Sequence, residues 1–326
     1  MRVGVIGAGS MGGMHARLLG EMDGVEVLVV DADPHRAEAT ATAAGGRAAT
    51  HDEAIAEADA IVVATPPELH AASVLAAIDA GRSVLCEKPL TDTLVTSRAL
   101  TARAEATGAH VEVGFQRRHD TGFLAAREAI GGQLHLVHLT ALDPLVAPRD
   151  PLSVPASEVA PIFRDSSVHD FDFVRWVSGQ EVTEVTATGS RRDGGRPDDP
   201  RGIESAVVTM RLASGTLAVL EASWLHPSGY DIRVELVSEA AAVTAGLSPR
   251  TPARHLDWPQ EATDAWAGYL ERFEPAYRAE LVAFLAAARR EAEPASTARD
   301  GLEAMRIAVA ATRSFTRRRT VAMTEV

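Results

Sequence analysis

The stretch Val3-Gly4-Val5-Ile6-Gly7-Ala8-Gly9-Ser10-Met11-Gly12 places a glycine-rich turn directly after a short β-branched run. The run predicts a buried strand, and the turn opens a segment of helical period. In this G-x-G-x-x-G pattern Gly7 allows a tight turn, Gly9 lets the backbone approach a diphosphate, and Gly12 allows the helix to pack closely. The N terminus of the helix offers free N–H groups to that diphosphate. We therefore predict a dinucleotide site to which Ser10 and Met11 also contribute.

The acidic residue that ends the second predicted strand indicates which dinucleotide is bound. Asp31 follows Val29-Val30 and lies 24 residues after Gly7, close to the roughly 20 residues expected for a carboxylate that accepts from the adenosine ribose. Asp31 and Asp33 would repel a 2′-phosphate, whereas Arg36 lies near enough to offset part of their charge. We expect NAD, with NADP disfavoured but not excluded. The competing interpretation is that Asp31 merely caps the following segment.

The first 118 residues alternate short β-branched runs with longer alanine-rich segments of helical period. This alternation is typical of βαβ units and a parallel sheet. Glycines at positions 20, 45, 81 and 108 stand where helix C termini favour a residue that tolerates positive φ. The predicted strands are Val3–Ile6, Val25–Val30, Ala60–Ala64, Ser83–Cys86 and His110–Gly114, and the predicted helices are Met11–Gly20, Pro34–Ala44, Glu68–Ala80 and Thr93–Thr107.

After Phe115 strand follows strand, which indicates a largely antiparallel sheet in an α+β or mixed second domain over residues 119–326. Prolines punctuate a loop at Pro144–Pro161, and Arg191–Gly202 has the composition of an exposed hairpin loop. Two closing helices, about Glu274–Glu291 and Thr297–Thr316, could pack on either domain. The other predicted elements are a helix at Ser166–Ser178 and strands at Leu134–Thr140, Val182–Thr188, Ser205–Arg211, Thr216–Ser223, Ile232–Ser238 and Ala241–Thr244.

Length and composition narrow the class of protein. The 326 residues suggest two domains, and 46% hydrophobic with 24% charged residues are typical of a soluble globular chain. A formal net charge of -13 disfavours nucleic acid as a partner. We expect neither export through a signal peptide nor a membrane span, because no apolar run is long enough. The single cysteine, Cys86, excludes an intramolecular disulfide and points to a reducing compartment, by default the cytoplasm.

Two stretches carry candidates for acid–base chemistry. Glu87-Lys88-Pro89 follows a predicted parallel strand, at the sheet edge where α/β folds bind ligands, and a lysine there could hydrogen-bond a substrate hydroxyl. Asp165 and His169 are four residues apart and share one face if a helix begins at Asp165. Imidazole suits removal of a hydroxyl proton near neutral pH, so His169 is the candidate base. Asp165 could bind a neighbouring hydroxyl or favour the imidazolium.

Each of these candidates also has a simpler interpretation. Glu87-Lys88-Pro89 alone is compatible with a surface turn, and Asp165 with His169 is compatible with a helix cap beside an exposed histidine. His169, Asp170 and Asp172 lie close together in the sequence. However, no other His or Asp cluster of the sequence has the paired spacing of metal ligands. Hydride transfer to the nicotinamide of NAD needs no zinc, so we predict no metal site.

Four ordered motifs resemble those of the Gfo/Idh/MocA oxidoreductase family, and the resemblance covers essentially the whole chain. It implies an α/β fold: an N-terminal Rossmann domain, a doubly wound parallel sheet, then a C-terminal α/β domain with an open, mainly antiparallel sheet. It also implies assembly through that sheet as a homodimer or homotetramer. The motifs are Gly7-x-Gly9-x-x-Gly12 with His15, Thr65-Pro66-Pro67-x-x-His70, Glu87-Lys88-Pro89, and Asp165-x-x-x-His169-Asp170.

The family likeness also implies roles for individual residues. Lys88, Asp165 and His169 form the catalytic group, with His169 as general acid or base and Lys88 holding the reacting hydroxyl. The remaining motif residues lie near the cofactor: Thr65, Pro66, His70 and Glu87, together with Lys88.

Within the family the chain is similar to the inositol 2-dehydrogenases. The stretches that carry this likeness are Val113–Arg118, Val168–Asp172 leading to Trp176, and Gly229–Ile232 before Glu235. A polyol is chemically plausible because clustered donors and acceptors match a ring that bears many hydroxyls. Alternatively, Tyr230 and the arginines of these stretches, Arg117 and Arg118, serve packing or an interface. The expected substrate ligands are Lys88, Arg117, Asp143, Asp165, His169 and Tyr230.

Two classes of function follow from these observations. The first is an NAD-dependent dehydrogenase that converts a secondary hydroxyl of an inositol-like polyol to a ketone, or a related enzyme for another sugar or amino-cyclitol. The second is a non-catalytic regulator that keeps the fold to sense a nucleotide or sugar. Joint retention of Lys88, Asp165 and His169 favours the enzyme, because a sensor has little use for an aligned base.

Overall fold

The structure, a computed structural model, describes residues 1–144, 159–191, 199–227, 229–246 and 266–326. Two compact units divide the chain: unit 1 consists of Met1–Gln116 and Tyr277–Glu303, and unit 2 of Arg117–Ala276 and Ala304–Val326. The chain therefore passes between the units three times. The domain boundary after residue 118 stays a prediction.

Unit 1 is built on a six-stranded sheet in which every neighbouring pair is parallel. The strand order is β3-β2-β1-β4-β5-β6, so the direction of winding reverses between β1 and β4, where open α/β sheets bind ligands. The sequence therefore predicts the class of the sheet correctly. Its elements are β1 (Arg2–Ile6), α1 (Ser10–Gly20), β2 (Glu26–Val30), α2 (Pro34–Ala43), β3 (Arg47–Ala48), α3 (His51–Glu57), β4 (Ala60–Val63), α4 (Pro67–Asp79), β5 (Ser83–Cys86), α5 (Leu94–Thr107) and β6 (Val111–Val113).

Glycines shape the connections of unit 1 in two ways. Gly45, Gly81 and Gly108 have φ between +64° and +70° after helices, as the sequence predicts. Gly20 is different, because it is not among the glycines of positive φ. A Cβ atom there would lie 2.0 Å from the carbonyl oxygen of Ala44, so this glycine is required for close approach between chain segments.

A segment from the C-terminal part of the chain completes unit 1. Ser296 accepts the N–H of Val113 at 3.0 Å and donates its hydroxyl to the carbonyl of the same residue at 2.8 Å. Gly301 packs so closely that a Cβ atom would lie 2.8 Å from Val113 Cγ2 and 3.0 Å from Leu90 Cβ. Residues nearly two hundred positions apart therefore satisfy the free edge strand β6.

Unit 2 contains a seven-stranded sheet of order β12-β11-β7-β10-β9-β8-β13. The central pair β7 and β10 is parallel, and the other neighbours are antiparallel, as expected for a mainly antiparallel sheet. Its elements are α6 (Thr121–Ala129), β7 (Leu134–Pro144), α7 (Val168–Ser178), β8 (Val182–Ser190), β9 (Ser205–Leu212), β10 (Leu217–His226), β11 (Asp231–Ser238), β12 (Ala242–Ala245) and β13 (Val321–Ala322).

The two closing helices are α8 (Tyr269–Ala288) and α9 (Ala298–Arg317). The sequence left open which domain they join, and each contributes residues to both units. Helix α8 begins five residues before the predicted Glu274 and continues through Pro275. Among the described residues, no helix combines the length and the apolar character needed to cross a membrane.

The sequence did not predict four elements: β3, α3, α6 and β13. Strands β3 and β13 are only two residues long, and helix α3 is polar, so these three lack a clear apolar period. Helix α3 is held by a capping box in which Thr50 and Glu53 satisfy each other's backbone N–H groups, and it buries only Ala54. Most of the predicted loops Pro144–Pro161 and Arg191–Gly202 lie outside the described residues.

Candidate active site

The glycine turn between β1 and α1 has the geometry of a dinucleotide site. Gly7 has φ of +100°, and a Cβ atom there would lie 2.7 Å from the backbone of Ala64. A Cβ atom at Gly12 would lie 1.7 Å from the carbonyl oxygen of Gly7, so the helix packs directly on the turn. At Gly9 a Cβ atom would meet no described atom within 4 Å. The N-cap residue of α1 is Gly9 itself, which has no side chain to bond the first N–H groups of the helix, and Ser10 is exposed beside them.

Asp31 lies directly after β2 and is fixed by backbone donors. Its carboxylate accepts the N–H of Ala8 at 2.8 Å and the N–H of Asp33 at 2.9 Å. Burial acts to raise the pKa of Asp31, but these N–H groups and the Arg36 guanidinium at 3.5 Å outweigh it, so the pKa lies below its ordinary value. Asp33, not Asp31, caps α2, so the capping interpretation of Asp31 is wrong. Ala8 belongs to the glycine turn, and Asp31 is thereby tied to the predicted cofactor site.

His70 connects two loops at the same edge of the sheet. Its Nε2 lies 2.8 Å from the carbonyl oxygen of Thr65, and its Nδ1 lies 3.0 Å from that of Pro89. The ring is buried, whereas Pro66 is exposed and Thr65 is half-buried. His70 therefore holds the loop after β4 and the loop after β5 together.

Glu87 and Lys88 follow β5, also at the carboxyl edge of the parallel sheet. Glu87 is buried and pairs with His15 of α1, with 2.8 Å between Oε1 and Nε2. A surface turn is therefore the wrong interpretation of this motif, because its carboxylate lies inside the unit. Lys88 is half-buried. It is also the only lysine of the sequence, since the other 31 of the 32 Lys and Arg residues are arginines. This count is a signal in the sequence that the motifs alone do not reveal.

A buried charged cluster in unit 2 contains several expected substrate ligands. Arg117 donates from Nη1 to Asp170 Oδ1, and the two residues are 3% and 0% exposed. Arg117 also interacts electrostatically with Tyr230 and Asp143. Burial raises the pKa of Tyr230 above its ordinary value, although Arg117 acts to lower it, and burial likewise raises that of Asp170. Within the part of the chain that the structure describes, Arg117 Nε and Asp170 Oδ2 are buried and have no hydrogen-bond partner.

A second pair lies beside the first. Arg118 donates from Nε to Asp172 Oδ2 at 2.9 Å and from Nη2 to Oδ1 at 2.5 Å. Asp170 and Asp172 thus each hold an arginine. Among the described residues, no group of three His, Cys, Asp or Glu side chains is arranged to hold a metal ion.

The structure changes the expected placement of Asp165 and His169. Residues Ile162–Ser166 form a π turn, and α7 begins only at Val168, so Asp165 does not share an α-helical face with His169. Asp165 pairs with Arg164 at 2.8 Å. His169 is 8% exposed, so the interpretation as an exposed histidine beside a cap is wrong.

Sequence reasoning missed Ser166, which holds Asp143, and Trp224, which in turn holds Ser166. Ser166 donates its hydroxyl to Asp143 Oδ2 at 3.0 Å and accepts the indole N–H of Trp224 at 2.7 Å. These residues come from the π turn and from β10, so the contacts are long-range and leave no local signal in the sequence.

The predicted residues thus form two groups. Unit 1 brings together the glycine turn, Asp31, Thr65, His70 and the Glu87-Lys88 loop, and unit 2 brings together Arg117, Asp143 and Tyr230 with Asp170. The hydroxyl oxygen of Thr65 is buried without a hydrogen-bond partner among the described residues. Together with the open backbone at Gly9 and the fixed carboxylate of Asp31, it shows that the residues of unit 1 fit a dinucleotide such as NAD.

Comparison with known proteins gives two family matches. An oxidoreductase family model with an NAD-binding Rossmann fold, GFO_IDH_MocA, matches residues 1–115, and the C-terminal alpha/beta domain of the same family matches residues 155–323.

Several relatives match over nearly their whole length. A myo-inositol dehydrogenase of Streptomyces leeuwenhoekii is 37% identical, with 97% of this chain and 98% of the relative covered. An inositol 2-dehydrogenase of Rhizobium meliloti is 34% identical, with 99% of each covered. The crystal structure of myo-inositol dehydrogenase from Lactobacillus casei, in complex with NAD(H) and myo-inositol, is similar with a TM-score of 0.84, 26% identity, and coverage of 99% of this chain and 96% of that one.

Proposed function

The chain belongs to the Gfo/Idh/MocA oxidoreductase family with its NAD-binding Rossmann fold, and from that premise we propose that it oxidises a secondary hydroxyl of an inositol-like cyclic polyol to a ketone. The observation that carries the proposal is the buried Arg117–Asp170 pair, which has unfilled donor and acceptor atoms and lies next to His169 in the chain. A ring of hydroxyl groups supplies both donors and acceptors to such atoms. The inositol dehydrogenases among the relatives support this substrate class.

The protein's own residues manage the proton and the orientation of the substrate. When bound, NAD supplies the acceptor for the hydride. His169 removes the hydroxyl proton as general base, and Lys88 holds the reacting oxygen. Asp165 binds a neighbouring hydroxyl or stabilises the imidazolium that His169 becomes. Arg117, Asp143 and Tyr230 hold the remaining hydroxyls.

The composition of the chain supports the role of Lys88. Every other long basic side chain is an arginine, whose guanidinium is a planar fork of five donors. A lysine ammonium places three donors on one compact atom, which suits a group that holds a single hydroxyl oxygen. Lys88→Arg keeps the charge and changes this geometry. We expect turnover to fall by about two to four orders of magnitude with the fold intact.

The cofactor proposal is NAD rather than NADP. The fixed carboxylate of Asp31 accepts hydrogen bonds from the ribose hydroxyls and repels a 2′-phosphate, which supports this preference. Asp31→Ser removes the nearer repelling charge and leaves Asp33, at 3.9 Å, as the remaining partner of Arg36, so the guanidinium can turn to a phosphate and the ratio of kcat/KM for NAD over NADP should fall by about tenfold or more. An unchanged ratio would show that another residue distinguishes the two cofactors.

Assembly and location are part of the same proposal. The family likeness supports a homodimer or homotetramer, which light scattering of the purified chain tests. The single buried cysteine, Cys86, supports residence in the reducing cytoplasm, and fractionation of the source cells tests that location.

A direct assay tests the proposed reaction. The purified chain is mixed with NAD and with myo-inositol, scyllo-inositol or common aldoses, and NADH is followed by its absorbance. We expect rapid NADH formation with a cyclitol and loss of that activity in Lys88→Arg and His169→Ala. Turnover of an aldose alone would move the substrate to another sugar. Nucleotide binding without any turnover would favour the sensor.

A further inference from the structure

The buried pair of His15 and Glu87 lies between the glycine turn and the lysine. His15 is on α1, six residues after Gly9, and Glu87 directly precedes Lys88. Their side chains are 0% and 8% exposed and meet at 2.8 Å. An ionised carboxylate so deeply buried needs a close partner, because desolvation otherwise costs several kcal/mol. His15 is that partner.

The second oxygen of the same carboxylate holds the backbone of the lysine. Glu87 Oε2 accepts the N–H of Lys88 at 3.2 Å, so both carboxylate oxygens have partners within the protein. Gly114 leaves the space that the carboxylate occupies, since a Cβ atom there would lie 3.2 Å from Oε2. Glu87 is therefore held by α1 and by its own loop, and the glycine after β6 leaves room for its carboxylate.

The groups around Glu87 act on its pKa in opposite directions. Burial acts to raise the pKa of Glu87, but the hydrogen bond and charge of His15, together with Lys88, hold it below its ordinary value. Glu280, a buried carboxyl on α8, has its pKa raised by burial and by the charges of Glu87 and Glu112. Burial and its acidic neighbours thus disfavour the charged form of Glu280, whereas the partners of Glu87 favour its charged form.

We infer that His15 and Glu87 are positioning residues for Lys88, which fix the lysine backbone relative to the helix that receives the dinucleotide. This inference rests on the proposed function and changes one part of it. The resemblance places Glu87 with the cofactor ligands, whereas its two oxygens hold His15 and Lys88. A displacement of about 1 Å in a catalytic group costs about 100-fold in rate, so a fixed backbone at Lys88 matters for turnover.

The test compares two histidine–glutamate pairs of unit 1. His15→Leu removes the donor to Glu87, and His15→Gln restores an amide N–H at similar reach. His110→Leu is the matched control, because His110 Nε2 lies 2.7 Å from the buried Glu112 but holds no part of the Lys88 loop. For each variant we would measure the melting temperature, the dissociation constant for NAD, and kcat and KM for the polyol.

The single lysine supplies a second measurement that needs no substrate. An amine-acylating reagent can label only Lys88 and the α-amino group of Met1, so peptide mass spectrometry gives the reactivity of Lys88 with Met1 as internal reference. This ratio reports on the lysine even if no polyol is oxidised. Failure of the wild-type protein to oxidise any polyol overturns the proposed function and leaves the labelling test to decide the positioning role.

For His15→Leu we expect kcat to fall by about 10- to 100-fold, the KM and the NAD dissociation constant to change by less than about threefold, and the Lys88 to Met1 labelling ratio to change severalfold. His15→Gln should recover most of both losses. His110→Leu should lower only the melting temperature. If His15→Leu does not fold, Glu87→Gln is compared with His15→Gln by the same measurements. Unchanged kcat and labelling in the folded variants overturn the inference.

Discussion

Arg117 and Arg118 are neighbours in the chain, and each pairs with an aspartate of α7, yet the two pairs differ in how completely they are filled. Arg118 and Asp172 form two parallel hydrogen bonds that use both carboxylate oxygens. Arg117 and Asp170 share one hydrogen bond, and Arg117 Nε and Asp170 Oδ2 have no partner among the described residues. Both pairs are buried, so the difference is not one of solvent access.

The contrast is the one expected between a structural ion pair and the substrate site that we propose. A doubly bonded pair satisfies its own desolvated charges and leaves nothing for a ligand to bind. A singly bonded pair keeps buried polar atoms that cost free energy until a partner arrives, and such atoms are rare in native proteins unless they have a function. We therefore assign Arg118–Asp172 to stability and Arg117–Asp170 to substrate binding.

Removing one partner of the filled pair should have the largest effect. Arg118→Met leaves the buried carboxylate of Asp172 without its arginine, and we expect the free energy of unfolding to fall by about 3–5 kcal/mol. Urea denaturation measures this loss. Arg175→Met, on the same helix, is the control: its partner Glu181 is 61% exposed, so its loss should stay below about 1 kcal/mol. Equal losses in the two variants would contradict the structural assignment.

Removing Arg117 should chiefly affect turnover. Arg117→Met deletes a charged donor for a substrate hydroxyl, and a hydrogen bond of that kind contributes about 1.5–3 kcal/mol, which corresponds to a fall in kcat/KM of about 10- to 150-fold. The loss of stability should be smaller than for Arg118→Met, because Arg117 gives Asp170 one hydrogen bond whereas Arg118 gives Asp172 two. Steady-state kinetics and urea denaturation of both variants test this reversal. The comparison fails if Arg117→Met keeps its kcat/KM.

Glu280 is a further buried acid of this kind. Its Oε2 atom has no hydrogen-bond partner among the described residues, and the pKa of its carboxyl is raised. Such a group contributes stability below the pKa of the unfolded state, about 4.3, and that contribution is lost as the pH rises towards the folded value. The loss is at most about 1.4 kcal/mol per pH unit. Glu280→Gln cannot titrate, so its unfolding free energy should decline less between pH 5 and pH 8. Denaturation at several pH values measures both slopes, and identical slopes would exclude a titrating Glu280.

The parts of the molecule that sequence predicts well are those with local causes. The turn at Gly7–Gly12 and the carboxylate of Asp31 follow from spacing along one βαβ unit, and the structure places them together. The parallel order of unit 1 follows from alternating strands and helices. The ends of helices are predicted less accurately. Helix α7 starts at Val168 because a π turn precedes it, and the pattern of apolar residues does not distinguish that turn from a helix.

The long-range pairs of the site could not be predicted in the same way. Arg117 and Asp170 are 53 residues apart, and His15 and Glu87 are 72 residues apart. No periodicity connects residues so distant, and a single sequence does not show which of several acids each base meets. From the sequence, Asp170 and Asp172 are therefore only weak candidates for metal ligands. The count of one lysine among 31 arginines, however, was readable from the sequence and identifies Lys88 directly.

The way in which residues near Ser296 and Gly301 complete unit 1 has a consequence for synthesis on the ribosome. A chain emerges at about 5–20 residues per second, so the first strands wait about ten seconds or more for the segment that covers β6. During that interval the edge at Val113 exposes backbone groups that can pair with another chain. The order of translation thus leaves this edge uncovered until almost the whole chain has emerged.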